Sequence, residues 1–250
     1  KFDGGGANWT YEPPRWKKLA RAGFEAVTIS LPIMLFISFG TWAVEWFSTG
    51  VLEGKYVEVM WQFMLASAGI SLIMTLVVIA LKWITMGRYE PMVKPMWSWW
   101  AMRTEAVAVI YWGLAGKVLL DHLRGTPFLP WLMRLFGTKV GRGVFMDMTD
   151  ITEFDCVSVG DYAALNDLCA LQTHLYEDRV MKVGKVFVGN GVTVGAGSTV
   201  LYDTIVSDYA RLGPLTLVMK GEQIPANSEW VGAPAEPKAA PDSIIEKAAA

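Results

Sequence analysis

The chain has 250 residues, enough for one or two domains, and 53% of them are hydrophobic, a high share for a protein held wholly in water. Its 22 basic and 24 acidic side chains leave a net charge of -2, so there is no basic field to attract a nucleic acid. The two cysteines, Cys156 and Cys169, have neither metal-site spacing nor the number needed for a disulfide framework; they read as small buried fillers in a reducing compartment, and no metal site is expected.

Taken in order, residues 1–23 form a linker and a basic juxtamembrane segment. The chain opens at Lys1 without an initiator Met or a signal peptide, which reads as a piece of something longer. Residues 1–14 are rich in Gly and Pro, and Asn8-Trp9-Thr10 matches a glycosylation acceptor only by chance. Arg15, Trp16, Lys17, Lys18 and Arg21 then make a patch suited to a membrane surface.

Residues 24–137 read as a membrane region. From Phe24 to Phe47 the only charges are Glu25 and Glu45, near the ends, and Val59 to Leu81 carries none, so two transmembrane helices are predicted at about 24–47 and 59–82. Pro32 can kink the first without forbidding it, and Lys82 with Trp83 anchors the end of the second. Lys1, Arg15, Lys17, Lys18 and Arg21 precede the first span, Lys55 alone lies between the spans, and Lys82, Arg88, Lys94 and Arg103 follow. That asymmetry puts both ends in the cytoplasm and predicts a multi-pass protein of the inner or cell membrane.

Trp97, Trp99 and Trp100 look like an interfacial belt, and residues 104–123 are too briefly apolar to span, so they read as an interfacial or re-entrant helix with a third span as the alternative. His122, beside Asp121 and Arg124, reads as a surface residue. Gly125 to Pro130 breaks the helix, and a short amphipathic piece, Trp131 to Phe136, leads onward.

Residues 138–235 carry a different period. An aliphatic side chain recurs every sixth position at Val188, Val194, Val200, Val206, Leu212 and Val218, with Gly189, Gly195 and Gly213 directly after three of them. Period six fits neither a helix nor an alternating strand. It fits a chain that turns a corner every six residues and buries one side chain at each step. The fold class expected is therefore membrane α + β: transmembrane helices followed by a left-handed parallel β-helix, the hexapeptide-repeat architecture.

Val140 and Met146 start the coil, and Val159, Leu165 and Leu171 form a second set one residue out of phase, so a bulge is expected near Asp150 to Asp155. The polar residues Asp150, Thr152, Glu153 and Asp155 read there as a hydrated bulge. Asn166 and Asp167 follow a corner, where asparagine commonly satisfies backbone groups; Asn166 is also a substrate-binding candidate. Leu171 and Val188 are 17 positions apart, five more than two steps or eleven more than one, so a loop of about 172–187 must leave the coil.

That excursion concentrates reactive groups: Gln172, Thr173, His174, Glu177, Asp178, Arg179 and Lys182. His174 is the only histidine of this half, and an imidazole titrates near enough to neutrality to accept a proton from an attacking group. Glu177 or Asp178, three and four positions on, could hold its tautomer. Gln172, Thr173, Arg179 and Lys182 are candidate substrate-binding residues. After Lys220 the repeat ends, Trp230 to Ala235 caps it, and residues 236–250 form a flexible tail.

The ending Val231-Gly232-Ala233-Pro234-Ala235, with the six-residue period, resembles the hexapeptide-repeat acyltransferases. The resemblance implies that a loop histidine deprotonates an acceptor which attacks a thioester, usually acyl-CoA, in a cleft between subunits of a trimer. More narrowly, GTPFLPWLMRLFG (125–137), TDITEFD (149–155), LQTHLYEDRVMKVG (171–184) and LGPLTLVMKGE (212–222) resemble the C-terminal membrane domains of ε-poly-L-lysine synthetase-like non-ribosomal peptide synthetases. That resemblance implies a membrane-bound acyl or aminoacyl transferase domain that makes peptide or isopeptide bonds. Its thioester donor would sit on carrier-protein phosphopantetheine or CoA, with no covalently bound cofactor. Its partners would be adenylation and carrier domains or further copies of itself, in a trimer or pseudo-trimer. His174 would be the base, oriented by Glu177 or Asp178. The alternatives are an acetyl-CoA-dependent O- or N-acetyltransferase and a non-catalytic scaffold within a larger synthetase.

Overall fold

A computed structural model describes residues 13–238; the glycosylation-like triplet, most of the expected linker and most of the expected tail lie outside the described residues. The described chain divides into two compact units. The first takes in residues up to 87, 94–122 and 178–180, and the second takes in 88–93, 123–177 and everything from 181.

In the first unit, α1 (Arg15–Leu52) and α2 (Tyr56–Thr85) are long uninterrupted helices that contain both expected apolar stretches. They are the two described helices long and apolar enough to cross a membrane. Pro32 lies inside α1, and the turn between the helices pivots on Gly54 at φ +76. Gly50 lets the helices close together, because a Cβ there would come within 2.1 Å of the Val59 side chain. The single helix expected over 104–123 is instead divided: helix α3 (Trp99–Ile110), capped by the Ser98 hydroxyl, runs into a π-helical turn at Tyr111–Gly116, and a 3-10 turn follows at Leu120–Leu123.

Two cations read from the sequence as surface anchors are buried inside this unit. Arg21 donates to Glu25, to the Met96 carbonyl and to Glu105, and lies 5.0 Å from the Trp97 ring. Lys82 is fully buried with Nζ 3.5 Å from the centre of the Trp83 ring. The sequence shows the charge of such residues; only the packing shows the carboxylates and rings that meet it.

In the second unit α4 (Phe128–Phe136) ends at Gly137 with φ +115, buries Leu129, Met133 and Phe136, and stacks Phe136 on Phe154 at 4.7 Å. Arg134 on α4 donates to the carbonyls of Val140 and Gly141, so edge acceptors at the start of the coil are satisfied. The coil then builds three parallel sheets. One runs through Lys139–Val140, Val157–Val159, Val186–Val188, Thr204–Val206 and Gln223–Ile224. A second runs through Phe145–Met146, Ala164–Leu165, Thr193–Val194, Arg211–Leu212 and Glu229–Val231, and ends on the antiparallel strand Glu236–Pro237. The third stacks Ala170–Gln172, Thr199–Leu201 and Leu217–Val218.

The six-residue aliphatics are the core of this prism: Val188, Val194, Val200, Val206 and Val218 have no exposed surface. Each pairs in register with its counterpart one coil on, as Val188 with Val206, Val194 with Leu212 and Val200 with Val218. The glycines that follow them mark close approach. A Cβ on Gly195 would lie 2.5 Å from the Gly213 carbonyl carbon, and one on Gly189 would lie 2.8 Å from the Asp208 nitrogen.

Two departures from regular spacing are visible in the register. Val140 pairs with Val159 and Met146 with Leu165, one residue longer than a regular coil. The extra residue is taken up where the third sheet would begin, by buried Ile151 and Phe154 and a 3-10 turn at Phe154–Cys156. Val159 with Val188, Leu165 with Val194 and Leu171 with Val200 are each eleven residues longer than a regular coil. Those eleven are Thr173–Val183, and the coil resumes beyond them in unchanged register.

Candidate active site

The excursion is a β-hairpin. His174–Glu177 and Val180–Val183 are adjacent strands of one sheet, joined by Asp178 and Arg179, both at positive φ (52° and 59°) as a tight two-residue turn of the primed kind requires. Its base is closed where Gly184 N donates to the Thr173 carbonyl at 2.9 Å. His174 therefore sits at the root, where the chain has just left the prism.

Strand geometry sorts the side chains. Residues two apart share a face, and Tyr176 accordingly packs edge-on against the His174 ring at 5.3 Å between centroids. Residues three apart face opposite ways. Glu177, named from the sequence as a partner for the ring, instead takes Lys182 Nζ at 2.6 Å together with Lys220. Asp178 lies at the tip, four residues or about 13 Å along an extended strand from His174.

The carboxylate that does meet the ring is Glu153, 21 residues earlier. His174 Nδ1 is 2.8 Å from Glu153 Oε2, and the same oxygen accepts from Thr173 Oγ1 at 2.5 Å and from Thr152 Oγ1 at 2.7 Å. The Thr152 hydroxyl is also 3.3 Å from Nδ1. The Glu153 side chain is 1% exposed and that of His174 is 17% exposed, so a buried anion meets solvent through one imidazole. Burying a carboxylate costs several kcal/mol unless donors replace its water. Burial pushes the Glu153 carboxyl up, but the hydrogen bond and charge of His174 and the two threonine hydroxyls outweigh it, and the group is held below the usual carboxylate range.

The remaining candidates fall into place around this pair. Thr173 is buried on Glu153, and Gln172 Nε2 donates to the His174 carbonyl at 3.1 Å. Asn166 donates its side-chain amide to the Val194 carbonyl at 2.7 Å, the backbone-satisfying arrangement. A side-chain ladder also runs up another corner, where Arg142 N meets Asp161, Asp161 N meets Asn190 and Asn190 N meets Asp208, each at 2.8 Å. Arg179 is at the hairpin tip, and Lys182 is held by Glu177. The structure thus gathers Gln172, Thr173 and His174 with Thr152 and Glu153, and separates them from Glu177 and Asp178.

Glu153 was visible in the sequence only as part of a polar cluster read as a hydrated bulge. What would have singled it out is its place one coil before the point where the chain leaves the prism. Both cysteine thiols are buried and are pushed up to about 12, chiefly by burial, so neither is a nucleophile. Among the described residues no three His, Cys, Asp or Glu side chains form a group that could hold a metal.

No family model matches the chain. Over 232 residues, 91% of its length, it is 44% identical to delta-poly-L-ornithine synthetase of Acinetobacter baumannii (strain AB307-0294), of which it spans 17%. Over 110 residues, 41% of its length, it is 32% identical to YvoF of Bacillus subtilis (strain 168), whose name assigns it provisionally to the acetyltransferases, and it spans 64% of that protein. Solved structures similar to it include a maltose O-acetyltransferase from Clostridium difficile 630, at 16% identity and a TM-score of 0.32, covering 48% of this chain and 81% of that one. A hexapeptide-repeat-containing acetyltransferase from Vibrio cholerae is similar at 12% identity and a TM-score of 0.36, covering 50% and 87%. As the stretch Thr173 to Arg179 led one to expect, the chain is similar over nearly its whole length to a segment of a poly-amino-acid synthetase, and its coil has the hexapeptide-repeat architecture expected from the six-residue period.

Proposed function

We propose that the chain is a membrane-bound acyl or aminoacyl transferase domain that forms amide bonds from a thioester donor. The observation that carries this reading is the pair His174–Glu153 at the root of the hairpin. Glu153 holds Nδ1, so proton exchange with a substrate falls to Nε2. The acceptor amine attacks the thioester carbonyl, and Nε2 takes the proton that the nitrogen loses. The tetrahedral intermediate collapses with breakage of the C–S bond, and the imidazolium returns the proton to the departing thiolate. Glu153 stabilises the imidazolium between these steps and keeps the ring in one tautomer. Proton transfer of this kind is worth about 10²- to 10⁴-fold, and holding amine and thioester in contact contributes up to roughly 7 to 11 kcal/mol. The donor is carried on phosphopantetheine or CoA, and the acceptor is an amino acid or a growing chain.

Support for the membrane comes from α1 and α2. Only 11% and 17% of their most apolar windows are buried, unlike core helices of a soluble protein, and Ile33, Phe36, Ile37, Trp61, Leu65 and Ile73 face outward. The excess of Lys and Arg outside the α1–α2 turn favours a cytoplasmic coil. Adenylation and carrier domains, or further copies of this domain, supply the loaded thioester. A trimer or pseudo-trimer completes the cleft, and the outward neighbours Phe187 and Ile205, 45% and 42% exposed, give one coil face an apolar strip for such packing.

The decisive experiment supplies the full chain with preloaded aminoacyl thioesters and candidate amines and identifies products by mass spectrometry. Amide formation that falls at least about 10²-fold in His174→Ala supports the reading. Undiminished turnover in that variant would sink it. Saturable transfer from acetyl-CoA alone would move the assignment to an acetyltransferase, and the absence of any turnover would leave a scaffold.

A further inference from the structure

The helical unit contains a groove of about 260 Å³ between α1, α2 and α3. Its walls are apolar, from Phe24 on α1, Val78 and Leu81 on α2, and Ala106, Val107 and Ile110 on α3. The two threonines that also line it spend their hydroxyl donors on their own helices: Thr28 on the carbonyls of Phe24 and Glu25, and Thr85 on that of Leu81. One charged side chain lines it, Arg103. Its Nη1 donates to the Thr85 carbonyl at 2.7 Å, while its Nε is buried and meets no hydrogen-bond acceptor. A buried guanidinium N–H without an acceptor is costly, and points to a group that the protein itself does not supply.

The groove also has direction. Arg103 and Thr85 lie toward one end, at the last turn of α2, with Trp99 one turn further out on α3. Val78 and Ile110 are each seven residues, about 10 Å of helix, further in. A cation at the mouth and an apolar interior suit an anionic amphiphile. They disfavour a polycationic product, which Arg103 repels, and a sugar, for which the interior has no partners.

We infer that this groove binds one anionic phospholipid, with a phosphate oxygen accepting from Arg103 and an acyl chain lying between α2 and α3. The inference rests on the reading of α1 and α2 as membrane spans. It makes the helical unit a lipid-selective anchor, with a site separate from the chemistry at His174.

The test places the full chain in phosphatidylcholine vesicles containing a trace of either phosphatidylglycerol or phosphatidylcholine with a mid-chain diazirine, and maps the photolabel by mass spectrometry. Phosphatidylglycerol should label Val78, Val107 or Ile110 about tenfold more than phosphatidylcholine, because both offer Arg103 a phosphate oxygen but only phosphatidylcholine brings a choline cation that the guanidinium repels. Arg103→Gln should bring the two lipids to parity and Arg103→Lys should keep part of the preference. Ala106→Phe, which fills the groove from another wall, should remove label from both. Equal labelling of the wild type by the two lipids, label found only outside the groove, or a preference that survives Arg103→Gln would overturn the site. Flotation separates the two failures: a chain that floats with the vesicles but is not labelled in the groove refutes this site alone. One that does not float refutes the membrane reading and this site together.

Discussion

Two hydroxyls and an imidazole converge on a single oxygen of Glu153, and that oxygen has no water to fall back on. Because the folded carboxyl is held below its unfolded value of about 4.3, it contributes stability that is fully present above that pH. The contribution is lost as pH falls through the lower folded value. The melting temperature of wild type should therefore exceed that of Glu153→Gln at pH 6 to 7, with the gap narrowing below about pH 4; a gap independent of pH would contradict the assignment. Both thiols, pushed up to about 12, should resist alkylation at pH 8 in the folded protein and react fully in denaturant. At this scale the sequence was half legible. His174 stood out as the sole histidine of the coil half. Its partner did not, because spacing by three and four favours Glu177 and Asp178 only if the segment is helical. A strand turns Glu177 to the opposite face, and the identity of Glu153 depends on coil register, which includes an extra residue in that very rung.

Among elements, the coil was readable because period six has one physical interpretation, and the same reason explains the glycines. Gly195 lies against the backbone of Gly213, which cannot yield as a flexible side chain would. Gly195→Ala should cost about 1 to 3 kcal/mol, the usual range for overpacking, seen as a lower midpoint in denaturant. No loss of stability would contradict the close stacking of neighbouring coils at this corner. In the helical unit Gly50→Leu should separate α1 from α2, since even a Cβ meets Val59; loss of thermal stability in detergent would report it. The places of the two long helices followed from hydropathy, but not their lengths, since α1 and α2 run past the apolar stretches at both ends. The burial of Arg21 did not follow either, because two of its three acceptors, Glu105 and the Met96 carbonyl, are more than seventy residues away in sequence.

For the whole molecule, the proposed shared cleft predicts trimer-sized particles in detergent by light scattering, and a dispersed monomer would count against it. The proposed orientation predicts that a cysteine placed at Lys55 is labelled from outside sealed cells and one placed at Lys139 is not; the reverse pattern would invert the topology. The eleven inserted residues have a further consequence. Thr173 and Gly184 are hydrogen-bonded neighbours, and the sheets on either side keep their pairing as though nothing intervened. Excising Thr173–Val183 should thus splice Gln172 onto Gly184 as an ordinary corner, provided Glu153 is made neutral in the same stroke, since otherwise an anion is stranded in the wall. On the proposed function, the scaffold and its chemistry are in this sense detachable cassettes, and one paired edit would silence or restore a reactive copy while keeping the same outer form.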